Sequence, residues 1–312
     1  IMGRNPDVSY GTYRLLSFDE LWKKSGFDES EHMFSVRTRS ADEEYGNGVH
    51  QWYCGMQDAG GVLQKGPWVG NRFHWYCLFD NEDYRITKGV KHRFQYDSQV
   101  KNGRGYYYPG TPEYKLMATG KNMDDVKVQE PVAPFNDGLT YTNSISSNCL
   151  AFTTKYADVT DPTIGRTDAY WPFLRYADIV LIYAEAQCEL NDGISQDAID
   201  ALNDIRIRSN AKEASVTGDG AIETKVELRS VIFEERAKEL AYEGDRRWDL
   251  LRWGIYLDVM NSLGGINEDG TRTPYDEGSI NKRREFRHLL YPLPSLEVST
   301  NMAIDKNNPG WN

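Results

Sequence analysis

The sequence carries no excess of basic residues: 36 Lys and Arg stand against 47 Asp and Glu, a formal net charge of −11. Nonspecific affinity for nucleic acid comes from neutralising phosphates, so the charge balance argues against a general nucleic-acid binder, and adhesion to anionic lipid is disfavoured on the same ground. No run of about 18 apolar residues occurs, so no segment matches a membrane-spanning helix. Ile1 to Pro6 show no basic n-region, apolar h-region or cleavage site, so either the protein is cytoplasmic or this start is not the start of the gene product. The four cysteines, Cys54, Cys77, Cys149 and Cys188, form no CxxC pair and no metal-ligand spacing. A Cys54–Cys77 disulfide stays open, which leaves the compartment undecided. The five histidines (His32, His50, His74, His92, His288) fall singly, without HExxH or His-x-His, and each reads as a loop or surface residue. GNGVHQWYCG and GKNMDD lack the Gly-Lys-Ser/Thr ending of a phosphate loop. The acidic pieces Asp80-Asn81-Glu82-Asp83 and Asp124-Asp125 do not follow the EF-hand pattern. No metal and no cofactor is therefore expected; structural Ca²⁺ is allowed but not indicated.

What the sequence does have is aromatic residues, 20 Tyr and 8 Trp. Many lie between residues 40 and 150, among Gly, Asn, Asp and Pro, with little sustained periodicity apart from short strand-like pieces. Disordered segments are poor in aromatics, so this region predicts an ordered surface built from loops. From about Tyr170 the pattern turns helical. Arg175–Leu190 has Ile179, Tyr183 and Leu190 on one stripe and Ala177, Leu181, Ala184 and Cys188 on another, as expected of a helix sandwiched between neighbours. Asn191-Asp192-Gly193 predicts its end at a left-handed glycine. Ser195 is a cap for a second helix to about Ser209, with Ala198, Leu202 and Ile205 inward. Thr224 and Glu227 form a capping box for a third, running to Tyr242 and stopped by Gly244. Asp245 then caps a helix reaching Gly264-Gly265. The fold class is mainly α: tetratricopeptide-like helical hairpins, a long irregular aromatic-rich loop region and a few short strands. A loop-rich part, 1–165, and a helical part, 166–312, are not expected to be independent domains.

EERAKELAYEGDRRWDLLRWG, Glu234–Gly254, places eleven charged side chains in 21 residues. Arg236, Glu239 and Glu243 fall on one helical face and are expected to pair along it. Asp245 suits a helix N-terminus, Asp249 and Arg252 are three apart, and Trp248 and Leu251 mark the inward side. Each acid has a base within a turn, so these six charged residues predict a structural ion-pair and cap network tying two helices across the Gly244 turn. No catalytic residue is assigned.

Taken together, RYADIVLIYAEAQCELNDG, ALNDIRIRS and EERAKELAYEGDRRWDLLRWG resemble the C-terminal half of the SusD/RagB family of Bacteroidetes outer-membrane lipoproteins. LLYPLPSLEVSTNMAIDKNNPGW is similar to that family's closing segment, SEHMFSV to its Ser-Glu-x-Ile-Phe strand, and DYR (Asp83–Arg85) to its Asp-x-Arg. Met302 stands where Pro is usual and Leu293 where Ile is. The order and spacing of these blocks span almost the whole chain, which looks like the C-terminal portion of a member or a shortened one. The resemblance implies a surface-exposed protein with an N-terminal lipid anchor absent from this chain. It implies non-catalytic capture of oligosaccharides or polysaccharides for a SusC-like TonB-dependent transporter.

Sugars present flat C–H faces and many hydroxyls, so aromatic platforms beside amide, carboxylate or guanidinium groups are the pattern to look for. HQWYCG supplies Trp52 and Tyr53; GPWVGNRFHWY supplies Trp68, Asn71, Arg72, Trp75 and Tyr76; GRGYYYPG supplies Tyr107 between Tyr106 and Tyr108. Trp52, Trp68 and Trp75 lead this set, whereas Tyr183, Trp248 and Trp253 sit in helical patterns and are expected in the core. Competing expectations are peptide capture, as in the RagB branch, and a glycoside hydrolase, which needs two carboxylates roughly 5–9.5 Å apart. A pure interaction scaffold ranks third.

Overall fold

The computed structural model describes residues 13–26, 31–39, 46–70, 75, 78–80, 82–91, 93–97, 104–107, 140–143, 152–261, 284–304 and 306–311; at Arg93 and in 104–107 and 140–143 it describes backbone only. The described residues up to Gly244 form one compact unit, and those from Asp245 onward form a second.

In chain order the first unit contains α1 (Phe18–Leu21), β1 (His32–Val36), α2 (Val49–Cys54), β2 (Met56–Gln57) and β3 (Leu63–Lys65). Then come α3 (Tyr84–Thr87), β4 (Val90–Lys91), β5 (Arg93–Phe94), β6 (Arg104–Tyr107), β7 (Thr140–Asn143), β8 (Phe152–Thr153) and β9 (Trp171–Arg175). Three longer helices complete it: α4 (Tyr176–Leu190), α5 (Gln196–Arg208) and α6 (Lys225–Glu239). The strands make small ribbons: β1 with β9, β2 with β3 and β4 with β8 are antiparallel, while β6 pairs antiparallel with β5 and parallel with β7.

The helical core follows from the sequence pattern. Ala177, Val180, Leu181, Ala184 and Cys188 of α4 are buried against Ala198, Leu202 and Ile205 of α5 and Leu228 and Ile232 of α6. Small side chains on α4 let both neighbours approach closely. Ser195 accepts a hydrogen bond from the Ala198 amide, and Thr224 and Glu227 form the reciprocal capping box. These caps satisfy amides that the first helical turn leaves without intrahelical partners.

Three local expectations change. Leu190 is 77% exposed while Cys188 on the other stripe is fully buried, so the stripe of Ile179, Tyr183 and Leu190 has left the core by the last turn of α4. Gly193 is absent from the positive-φ glycines; α4 instead ends at Asn191 in an extended conformation. The third helix stops at Glu239, since Tyr242 takes φ +69° and Gly244 φ +100°, which removes residues 240–244 from the helical path.

The second unit holds α7 (Arg246–Arg252), α8 (Tyr256–Asn261) and α9 (Ser295–Thr300). The helix expected to run on from Asp245 is broken at Gly254, φ +73°. Asp249 and Leu250 are its buried side, whereas Trp248 is 57% exposed, so the inward face is rotated by about one residue from the expected one. The Arg247 guanidinium lies over the rings of Tyr256 and Tyr291 at 4.7 and 4.5 Å and donates to the His288 carbonyl. In the closing segment Asn307 accepts from the Leu293 amide at 2.7 Å, as a neighbouring strand would. Met302, in the position usual for Pro, is fully in solvent. No helix among the described residues is long and apolar enough to cross a membrane.

Candidate ligand-binding surface

Helix α2 divides consecutive residues between core and solvent. Val49, His50 and Cys54 point inward; Gln51 is half-buried and Trp52 is 44% exposed. At its end Gly55 adopts φ +74°, and a Cβ there would sit 2.6 Å from the Lys65 carbonyl oxygen, so only glycine allows β2 and β3 to fold back so closely. That return brings Trp68 to Trp52: the Trp52 carbonyl accepts from the amides of Trp68 and Val69 at 2.9 and 3.0 Å. Trp68, 75% exposed, is thus joined to Trp52 through the backbone. Two exposed indoles stand on backbone joined by hydrogen bonds, and an exposed aromatic face is able to bury the C–H face of a flat ligand.

The other aromatic candidates separate from this pair. Tyr53 packs inward, its ring 5.4 Å from Tyr156, 6.0 Å from Trp171 and 5.7 Å from Tyr242. Trp75 is an anchor: its indole N–H donates to the Ala237 carbonyl at 2.9 Å, and its ring packs edge-on against Phe79 and Tyr242. Burying a Trp body requires a partner for its N–H, and α6 supplies one at its last turn. Asn71, Arg72 and Tyr76 lie outside the described residues, and of Tyr107 only the backbone, in β6, is described.

Two histidines expected at the surface are buried. His50 donates from Nδ1 to the Tyr156 carbonyl at 2.8 Å, and His32 lies 3.0 Å from the Leu21 carbonyl through Nε2. Burial lowers the pKa of both. Cys54 is a free, buried thiol donating to the Thr153 carbonyl, and burial pushes it up to about 12; Cys77, named as its possible partner, lies outside the described residues. Cys188 is also a free, buried thiol. Among the described residues no group of three or more His, Cys, Asp or Glu side chains is placed to hold a metal ion.

The charged residues of Glu234–Gly254 make ion pairs, several of them with partners other than those expected. Glu243 lies beyond the end of α6 and so is off the helical face that carries Arg236 and Glu239. Arg236 instead reaches Asp178 of α4 at 2.7 Å. Glu243 takes Arg175 and Lys155, each at 2.6 Å, and Glu239 takes Arg175 and Arg208. Arg175 also holds Glu31 at 2.6 Å, a residue that β1–β9 pairing brings alongside it. Arg85 binds its helix-capping neighbour Asp83 at 2.7 Å and Glu235 at 2.5 Å, and Arg206 binds Glu235 from the other side. Five acids and five bases thus form one connected, buried network. It draws together the segments SEHMFSV, DYR, RYADIV, ALNDIRIRS and EERAKELAYEG.

Burial alone would raise the carboxyls of Glu235, Glu239 and Glu243; the surrounding cations outweigh it and hold all three below the usual range. A general acid for glycosidic cleavage needs the opposite shift. Asp249 pairs with Arg252 at 3.0 Å, and Asp245 occupies the cap position of α7 without a side-chain cap hydrogen bond.

The model of the SusD family matches residues 57–311, more than three quarters of the chain. The chain belongs to the SusD family. SusD-like protein P38 of Formosa agariphila is 36% identical over 142 residues, 44% of this chain and 25% of that protein. SusD-like protein P2 of the same organism is 33% identical over 142 residues, with the same coverage. The chain therefore spans about a quarter of the length of the curated relatives it matches. A SusD homolog from Bacteroides thetaiotaomicron superposes with a TM-score of 0.62 at 19% identity, covering 97% of this chain and 57% of that one. Surface glycan-binding protein A from the same species, in complex with laminarihexaose, gives 0.56 at 18%, covering 96% and 56%. These likenesses establish the SusD-like, mainly helical fold.

The sequence marked the network's charged residues in the family blocks but not Lys155, whose partners lie 84 and 88 residues away.

Proposed function

We propose that the chain is part of a non-catalytic, surface-exposed glycan-binding protein. It captures oligosaccharides or polysaccharides and passes them to a SusC-like TonB-dependent outer-membrane transporter. The observation that carries this is the exposed Trp52–Trp68 pair, fixed by the double hydrogen bond to the Trp52 carbonyl on a SusD-family framework. Relatives of the same fold are named as surface glycan-binding proteins, one with laminarihexaose bound and another as a laminarin-binding SusD-like protein. In this proposal the loop-rich residues 1–165 present the ligand surface and the helical residues 166–312 support it. A lipid anchor outside this chain holds the protein to the outer membrane.

Titration with laminarihexaose and a panel of neutral and acidic oligosaccharides, followed by tryptophan fluorescence and calorimetry, tests the proposal. Saturable quenching and heat, lost on Trp52→Ala or Trp68→Ala, are expected. No response to any glycan, a response to peptides alone, or release of reducing ends from a bound glycan would each overturn it. Binding needs no metal in this account, so EDTA leaves the affinity unchanged. Recovery of a TonB-dependent transporter with the tagged full-length protein tests the partner.

A further inference from the structure

Two glycines distant in sequence lie beneath neighbouring side chains of α2. A Cβ added at Gly48 would come within 2.9–3.1 Å of Cε2, Cζ2 and Nε1 of Trp52, so this indole rests on bare backbone. A Cβ added at Gly165 would come within 2.7 Å of the Gln51 side-chain oxygen. The backbone of Gly48 is at φ −87°, ψ 5°, which other residues also adopt, so conformation does not demand glycine there. Space beneath the ring does. Among the described residues the Gln51 side-chain amide makes no hydrogen bond, whereas the nearby Asn47 amide is fully engaged with Thr38, Ala169 and Val49.

Resting on Gly48 occupies one face of the indole and leaves the other to solvent. The half-buried amide of Gln51, adjacent in the chain, offers both a donor and an acceptor. One open aromatic face beside one uncommitted amide matches one pyranose ring: C–H groups on the indole and a hydroxyl on the amide.

We propose that Gln51 and Trp52 together contact a single sugar residue, and that Gly48 and Gly165 are positioning residues that seat them. This rests on the glycan-binding function proposed above. It predicts that Gly48→Ala tilts the indole without unfolding α2, because the clashing atoms belong to a side chain that can move. Gly48→Ser adds the same Cβ while restoring a favoured helix-capping residue, which separates ring displacement from loss of the cap.

The test is a cycle of Gly48→Ala, Trp52→Ala and the double variant, with Gln51→Ala and Gly48→Ser alongside. Laminarihexaose calorimetry, near-ultraviolet circular dichroism and melting temperature are the readouts. Trp52→Ala is expected to weaken binding about tenfold, the scale of one aromatic contact. Gly48→Ala and Gly48→Ser should each weaken it several-fold and change the near-ultraviolet spectrum. In the Trp52→Ala background Gly48→Ala should do neither, and the melting temperature should shift by only a few degrees. Gln51→Ala should weaken binding several-fold with an unchanged spectrum. If wild type binds neither laminarihexaose nor any other glycan of the panel above, or Trp52→Ala binds as wild type, the proposed function of this surface falls. If Trp52→Ala weakens binding but Gly48→Ala and Gly48→Ser leave it and the spectrum unchanged, or the losses persist undiminished in the double variant, the positioning role alone is overturned.

Discussion

Arg175 and Trp68 stand at the extremes of the first unit. The guanidinium is 1% exposed and shared among Glu31, Glu239 and Glu243; the indole is 75% exposed and held through its backbone. The region with most charge carries no assigned chemistry, because each buried acid of the network has a cation against it. The region with few contacts is the one proposed to receive a ligand. A buried ion network resists removal of any one member, since the partner left behind has lost both water and counter-charge. An exposed ring can be removed at little structural cost, and its value appears only when something lies on it.

The comparison breaks hardest at Arg175. Arg175→Ala leaves three carboxylates short of a partner and should lower stability by about 3–5 kcal/mol, read from the urea midpoint. A loss below about 1 kcal/mol would mean that the network is dispensable.

Acid should act on the same region. The pKa values of Glu235, Glu239 and Glu243 are depressed in the folded state, so their contribution is complete above the unfolded value, about 4.3, and is lost as pH falls towards the folded values. His32 and His50 are lowered by burial, so the unfolded chain takes up their protons first, from about pH 6.5 downward, and stability also declines there. Urea midpoints between pH 8 and 3 should therefore fall in two stages. A flat profile down to pH 4 would contradict the neutral buried histidines.

Arg236→Ala removes one pair with Asp178 outside the main network and should cost about 1.5–3 kcal/mol, leaving the glycan affinity of the folded protein unchanged. Trp68→Ala reverses that pattern: an unchanged melting temperature with about a tenfold weaker affinity sharpens the contrast, and an unfolded variant dissolves it. The smallest effect belongs to Arg252→Ala. This arginine is 42% exposed over its buried partner Asp249, and its loss should change stability by no more than about 1 kcal/mol in thermal unfolding.

The helices α4, α5 and α6, the Ser195 and Thr224 caps and the family itself were legible in the residues, because each depends on neighbours within a turn or on an order of short blocks. The roles of the aromatics were not. Trp52, Tyr53, Trp75 and Trp248 differ in exposure through contacts with residues far away in the chain: Trp75 finds its acceptor 162 residues on. Nor was the end of α6 legible, since a positive φ at Tyr242 is not written in the residue type.

The sequence by itself determined that α4, α5 and α6 would be helical, which family the blocks compose and that acids and bases would be balanced among them. Only the tertiary structure decided who pairs with whom. Glu31 meets Arg208 across 177 residues and Arg175 across 144, because β1–β9 pairing and the packing of α4 on α5 and α6 bring them together out of water. Local spacing supplies some partners, Asp83 to Arg85 and Asp249 to Arg252, but for Glu31, Arg175 and Glu239 burial, which makes an unmatched charge intolerable, selects distant ones.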